Sequence, residues 1–205
     1  MKKVLIISYF FPPCNLTASR RIEGWVKYLH EFGFYPIVIT RKWEKSIHCG
    51  KDMHYATSKG IEIIKDKTKE IHYLPYTPNL RDKIYTSDKF SIIQKTLSGV
   101  ELFFQNWNIK FCPFNNIYHH VDKIISENQD VKKVIVSGNP FIQFSFLHKL
   151  KNKHKYIKWI ADYRDDWTTT EVIKNRSIIE KILFKIEQKS ELKWVNSASF
   201  ITSVS

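Results

Sequence analysis

Val4-Leu5-Ile6-Ile7-Ser8 and Tyr35-Pro36-Ile37-Val38-Ile39-Thr40 are two apolar runs, and the stretch between them decides the fold. Ile22, Trp25, Val26, Leu29 and Phe32 recur at helical spacing, and Gly33 supplies the stop. A strand, a helix and a second strand in immediate succession predict parallel strands joined by a right-handed crossover.

The alternation continues downstream. Val134-Ile135-Val136-Ser137 reads as a strand, Gly138-Asn139-Pro140 as a turn, and residues 141–151 as a helix with Asn139 capping it and Pro140 at its first position. Residues 156–161 and 199–203 read as further strands. Between them, residues 176–194 form an amphipathic helix with Ile179, Ile182, Leu183, Ile186 and Leu192 facing inward. Residues 89–104 and 116–128 are helical, the latter burying Ile117, Val121, Ile124 and Ile125. The polar segment 41–86, with short strands at 61–65 and 71–74, reads as a small excursion from the main sheet. The expectation is one α/β domain over residues 1–205, a doubly wound, mainly parallel sheet with helices on both faces.

Composition narrows the function classes. A chain of 205 residues with 43% hydrophobic and 26% charged residues is globular and large enough for one well-buried core. Cys14, Cys49 and Cys112 are odd in number and far apart, which points to a reduced, cytoplasmic protein. The apolar start ends at Phe11 against Pro12-Pro13, too short for an export signal, and no run approaches the ~20 apolar residues of a membrane span. The net charge of +13 implies acidic partners. For the acid-free run from His148 to Lys158 three readings stand: a solvated lysine-rich loop, an anionic membrane surface, and nucleic acid. No nucleic-acid-binding motif accompanies the charge, so nucleic acid is not expected as a partner.

Chemistry is expected where strands end, because ligands of open α/β sheets bind beyond the carboxyl ends of the strands. In Trp159-Ile160-Ala161-Asp162-Tyr163-Arg164-Asp165-Asp166-Trp167 an apolar run breaks into three carboxylates and a guanidinium. Two readings are open: a reactive rim, or a self-satisfied cluster that caps the next helix. The first βα loop, Phe10 to Arg21, has no glycine, which argues against a nicotinamide, a flavin or a P-loop nucleotide bound there. Arg20 and Arg21 at the following helix N-terminus either meet an anion or form a solvated face. Asn139 either lines the same rim or only caps its helix, and local sequence favours the cap. His48, Cys49, Asp52 and His54 match no standard metal spacing, and adjacent His119 and His120 point apart on a helix, so no metal site is expected. No G-x-S-x-G elbow supports covalent hydrolysis.

Val4 to Pro13, Ala18-Ser19-Arg20-Arg21, residues 134–140, the Asp162-Tyr163-Arg164-Asp165-x-Trp167 element and residues 198–205 together resemble the amino-terminal domain of a family 4 glycosyltransferase. The branch it most resembles builds bacterial capsule, O-antigen and other surface polysaccharides. That resemblance implies a Rossmann-like domain forming one half of a GT-B architecture. The nucleotide-sugar-binding half, with its E-x(7)-E motif, lies outside residues 1–205, so this chain alone is not expected to transfer sugar. The full enzyme is implied to move a sugar, with retention and without a metal or other cofactor, from a nucleotide-diphosphate sugar to a saccharide or polyprenyl-diphosphate-linked acceptor at the inner membrane face. Asp162, Arg164 and Asp165 would form the catalytic floor. Asn15, Arg20 and Arg21 would lie near the diphosphate and Asn139 near the acceptor, with Pro13 and Trp167 also among the substrate-binding residues. Two departures stand out: Leu16 and Thr17 occupy the usual glycine pair, and Asp166 replaces a proline. The alternative is a non-catalytic carbohydrate-binding or membrane-docking module.

Overall fold

The computed structural model describes residues 1–87, 91–105, 108–165, 168 and 178–203. Seven strands make one sheet: β1 (Lys2–Ser8), β2 (Phe34–Arg41), β3 (Glu62–Lys65), β4 (Glu70–Leu74), β5 (Lys133–Ser137), β6 (Lys158–Tyr163) and β7 (Phe200–Ser203). Their spatial order is β3-β4-β2-β1-β5-β6-β7, parallel throughout except for the antiparallel edge strand β3. The fold is α/β, Rossmann-like and doubly wound. From β1 the chain steps outward to β2, and from β5 it steps the other way, so the switch point falls between β1 and β5.

Alternation of side chains along β1 feeds two cores. Leu5 and Ile7 join Ile37, Ile39, Val134 and Val136 on one face, covered by helices α4 (Asn115–Glu127) and α5 (Ile142–Lys153). Ile117, Val121, Ile124 and Ile125 of α4 are buried, as their spacing predicts. Ile6 and Val38 point the opposite way, under Ile22 and Val26 of helix α1 (Arg20–Tyr28). Helices α2 (Leu80–Thr86), α3 (Ser91–Gln105) and α6 (Ile178–Val195) complete the described α-helices. Among the described residues no helix is long and apolar enough to cross a membrane.

Four expectations need correction. The segment 41–86 is not an excursion: β4 pairs in parallel with β2, burying Ile71 to Leu74, and β3 extends the same sheet. Phe32 is 74% exposed, because α1 ends at Tyr28 and the chain tightens into a 3₁₀ turn, Leu29–Phe32, which rotates Phe32 off the buried stripe before left-handed Gly33. Ile182 and Leu192 are also exposed, since α6 packs against α5 and α3 and buries Trp194 instead. Asn139 does not cap α5. That helix begins at Ile142 with Phe141 in the cap position, after cis peptides at Gly138-Asn139 and Asn139-Pro140.

Two measurements follow from this packing. Ile125→Ala should cost about 2–5 kcal/mol in urea unfolding, while Phe32→Ala should change stability by less than about 0.5 kcal/mol. The second concerns His120 of α4, whose Nε2 lies 2.9 Å from Nδ1 of His72 in β4. Burial, reinforced by His72 and Lys123, lowers the His120 pKa from 6.5 to about 4. The neutral ring is favoured by folding, so the unfolded chain takes up the proton first and stability declines as pH falls from 6.5 toward 4. Thermal melts across that window should show the decline, and His120→Asn should shrink it.

Candidate functional site

Parallel register aligns Ser8, Ser137, Asp162 and Thr202 in one row across the carboxyl ends of β1, β5, β6 and β7. Asp162 is fully buried in that row. Its Oδ1 accepts from Arg21 Nη2 and from Thr202 Oγ1, each at 2.8 Å, and its Oδ2 accepts from Ser137 Oγ at 3.1 Å. A buried carboxylate needs such neutralisation, and Arg21 reaches it from the first turn of α1 while lying 5.0 Å from the centre of the Trp25 ring.

Arg164, two residues further, binds backbone. Its Nη1 donates to Ala18 O at 2.9 Å, its Nη2 to Asn139 O at 2.8 Å, and its Nε to Gly138 O, with the guanidinium carbon 5.4 Å from the centre of the Phe10 ring. One side chain therefore ties the first loop to the Gly138–Phe141 turn. The remaining expected residues divide by exposure. Pro13, after the cis Pro12-Pro13 bond, Asn139 and Asp165 are exposed at this rim. Arg20 is exposed and pairs with Glu23 at 3.0 Å. Asn15 is used structurally, since its amide accepts from Ile47 N at 2.8 Å and donates to Ile47 O at 3.0 Å. Trp167 lies outside the described residues. Asp162 has no surface with which to touch a ligand, so in this arrangement it positions Arg21 rather than contacting an acceptor.

A cleft of about 530 Å³ opens beside this rim, and most of its polar lining is not marked by the sequence patterns above. Tyr9, Phe10, Phe114, Phe141 and Trp194 give it aromatic walls, and His54, Arg81 and Glu101 give it polar ones. Asp82, at the third position of α2, is fully buried beneath it. Asp82 accepts from His54 Nδ1 at 2.8 Å, Arg81 Nη2 at 2.8 Å, Asn79 N at 3.2 Å and the Tyr76 hydroxyl. Burial pushes this carboxyl up, but the bonds from His54, Tyr76 and Arg81 outweigh it and hold Asp82 well below the usual carboxylate range. Glu101 goes the other way: burial raises it despite Arg81 and Asn79. The Asn79-x-x-Asp82 capping box was a readable signal for the start of α2. Nothing local marks the pairing of Asp82 with His54, 28 residues earlier.

Arg41 forms a second buried charge next to the cleft. It is 3% exposed and donates to the Tyr9 hydroxyl and to the carbonyls of Met53 and Tyr55, with the ring centres of Tyr76 and Trp43 at 3.7 and 4.4 Å. Asp52, by contrast, closes a turn by accepting from His48 N and Cys49 N, both at 2.8 Å. Among the described residues no three histidine, cysteine or acidic side chains come together to hold a metal ion. What the rim and cleft offer is hydrogen bonding to a polyhydroxylated or anionic ligand against aromatic faces.

No family model matches the chain, and no curated protein matches it. The geometry supplies a direct test of the rim. Removing one partner of a buried ion pair strands the other, so Arg21→Ala should cost about 3–5 kcal/mol, whereas Arg20→Ala should stay within about 0.5 kcal/mol. Equal, small losses in urea unfolding would show that Asp162 does not depend on Arg21.

Proposed function

We propose that this chain is the acceptor-binding half of a glycosyltransferase that moves a sugar from a nucleotide-diphosphate sugar to a saccharide acceptor, without a metal or organic cofactor, in the synthesis of a bacterial surface polysaccharide. The observation that carries the reading is the convergence of three loops at one rim of the switch point, beside a cleft walled by aromatic rings and polar groups. Aromatic faces suit the apolar faces of sugar rings, and Asn139, His54, Arg81 and Glu101 suit their hydroxyls. Exposed Arg20 is available to the donor diphosphate, and Arg21, Asp162 and Arg164 hold the rim in shape. On this reading, nucleotide-sugar binding is the task of the other half of the enzyme.

The charge of +13 fits a polyprenyl-diphosphate-linked acceptor at an anionic membrane surface, and hence a cytoplasmic protein bound peripherally to the inner face. Retention at the anomeric carbon, the course of the family that the chain resembles, rests on the resemblance alone. The test is to incubate membranes containing the full-length gene product with labelled nucleotide sugars. Label from one donor should pass into the lipid-linked fraction, and no transfer from any donor would sink the reading.

A further inference from the structure

Helix α6 carries Lys181, Lys185, Lys189 and Lys193 at intervals of four residues, so they stand in one row along one side of the helix. All four are exposed, as are Ile182 at 55% and Leu192 at 64%, which the helical repeat places on the same side. Among the described residues none of the four lysines pairs with an acid. Glu187 and Glu191 face elsewhere: the first lines the cleft, and the second accepts from the Tyr163 hydroxyl at 2.8 Å. The positive face continues onto α5, where burial and then the neighbouring Lys193 lower the pKa of both His148 and Lys149. Like charges four residues apart on a helix repel, so this face works against the fold unless an anion meets it.

We infer that the outer face of α6 docks on an anionic phospholipid bilayer, with its four lysines over the headgroups and Ile182 and Leu192 entering the interface. The inference rests on the reading of a lipid-linked acceptor and adds to it the face that meets the membrane. A nucleic-acid backbone is also anionic, but two observations favour a bilayer. Ile182 and Leu192 stand among the lysines, and aliphatic side chains gain from a membrane interface what a phosphate backbone does not offer them. Helix α3, which packs against α6, exposes a further apolar row of Ile93, Val100 and Phe104, with the Phe111 ring 5.2 Å from that of Phe104.

Docking through this face also sets the direction of the cleft. The inner side of α6 gives the cleft Glu187 and Trp194, and α3 gives it Ser98 and Glu101. A single layer of helix, about 10 Å thick, then separates the cleft from the bilayer. A saccharide anchored by its lipid has to rise only that far to reach the aromatic walls.

The experiment sediments the full-length protein with vesicles of phosphatidylcholine alone, or of phosphatidylcholine and phosphatidylglycerol in equal parts. The wild type should partition onto the mixed vesicles and not onto phosphatidylcholine alone. Lys185→Gln combined with Lys189→Gln should weaken that partition about 20- to 30-fold. Lys59→Gln combined with Lys67→Gln removes the same charge from exposed positions elsewhere and should stay within about twofold of wild type. Ile182→Ser combined with Leu192→Ser should cost about tenfold and leave the remaining binding more sensitive to salt. Every replaced side chain is exposed, and circular dichroism checks that each variant keeps the fold. Equal losses for the two lysine pairs, or partition that ignores phosphatidylglycerol, would overturn the inference. Tighter binding to duplex DNA than to the mixed vesicles, weakened by the Lys185 and Lys189 changes, would overturn it in favour of nucleic acid. Partition as expected without sugar transfer in the membrane assay would count against the sugar-transfer reading alone and leave the docking face standing.

Discussion

A carboxylate deprived of water has to be neutralised where it lies, and the rim of this sheet is organised around that requirement at Asp162. The residue sits in register with Ser8 and Ser137, so the sheet itself decides that its carboxylate points into the row of strand ends. Arg21 answers from α1, which must therefore start where its first turn can span β1 and β5. Ser137 and Thr202 supply the remaining donors from the two neighbouring strands. Four elements that are distant in sequence are thus fixed relative to one another by one buried charge.

The second charged centre is built differently. Asp82 is surrounded by donors from the Gly50–His54 turn, from α2 and from the segment after β4, and remains ionised although it is buried. Among the described residues Arg41 has no direct carboxylate partner and is held by carbonyls, a phenol and aromatic rings. Both groups sit on the β2 and β4 side of the switch point, opposite Asp162. The cleft lies between two polar clusters, and its aromatic walls separate them.

The strands were legible because a parallel strand covered on both faces has to be apolar at successive positions, as Leu5-Ile6-Ile7 and Ile37-Val38-Ile39 are. Helix α4 was legible for a similar reason: its stripe faces the sheet directly. Phe32, Ile182 and Leu192 were misplaced because helical spacing says nothing of a 3₁₀ turn or of packing onto other helices. In the site, Asp162 and Arg164 could be placed at the rim from the strand that precedes them. Their partners could not, since Arg21 and Ala18 lie more than a hundred residues away. Asn15 shows the deeper limit, because an exposed amide that staples Ile47 looks the same in sequence as one that awaits a ligand. The pairing of His54 with Asp82 escaped notice because its geometry is made by the return of α2 onto the Gly50–His54 turn.

Arg164 holds carbonyls from two separate loops with a single planar group, and planarity leaves those loops little freedom to shift independently. A ligand arriving at this edge meets backbone whose conformational entropy was already surrendered in folding. Association there should carry a small ordering penalty, and differences among ligands should appear mainly as complementarity to a preformed surface.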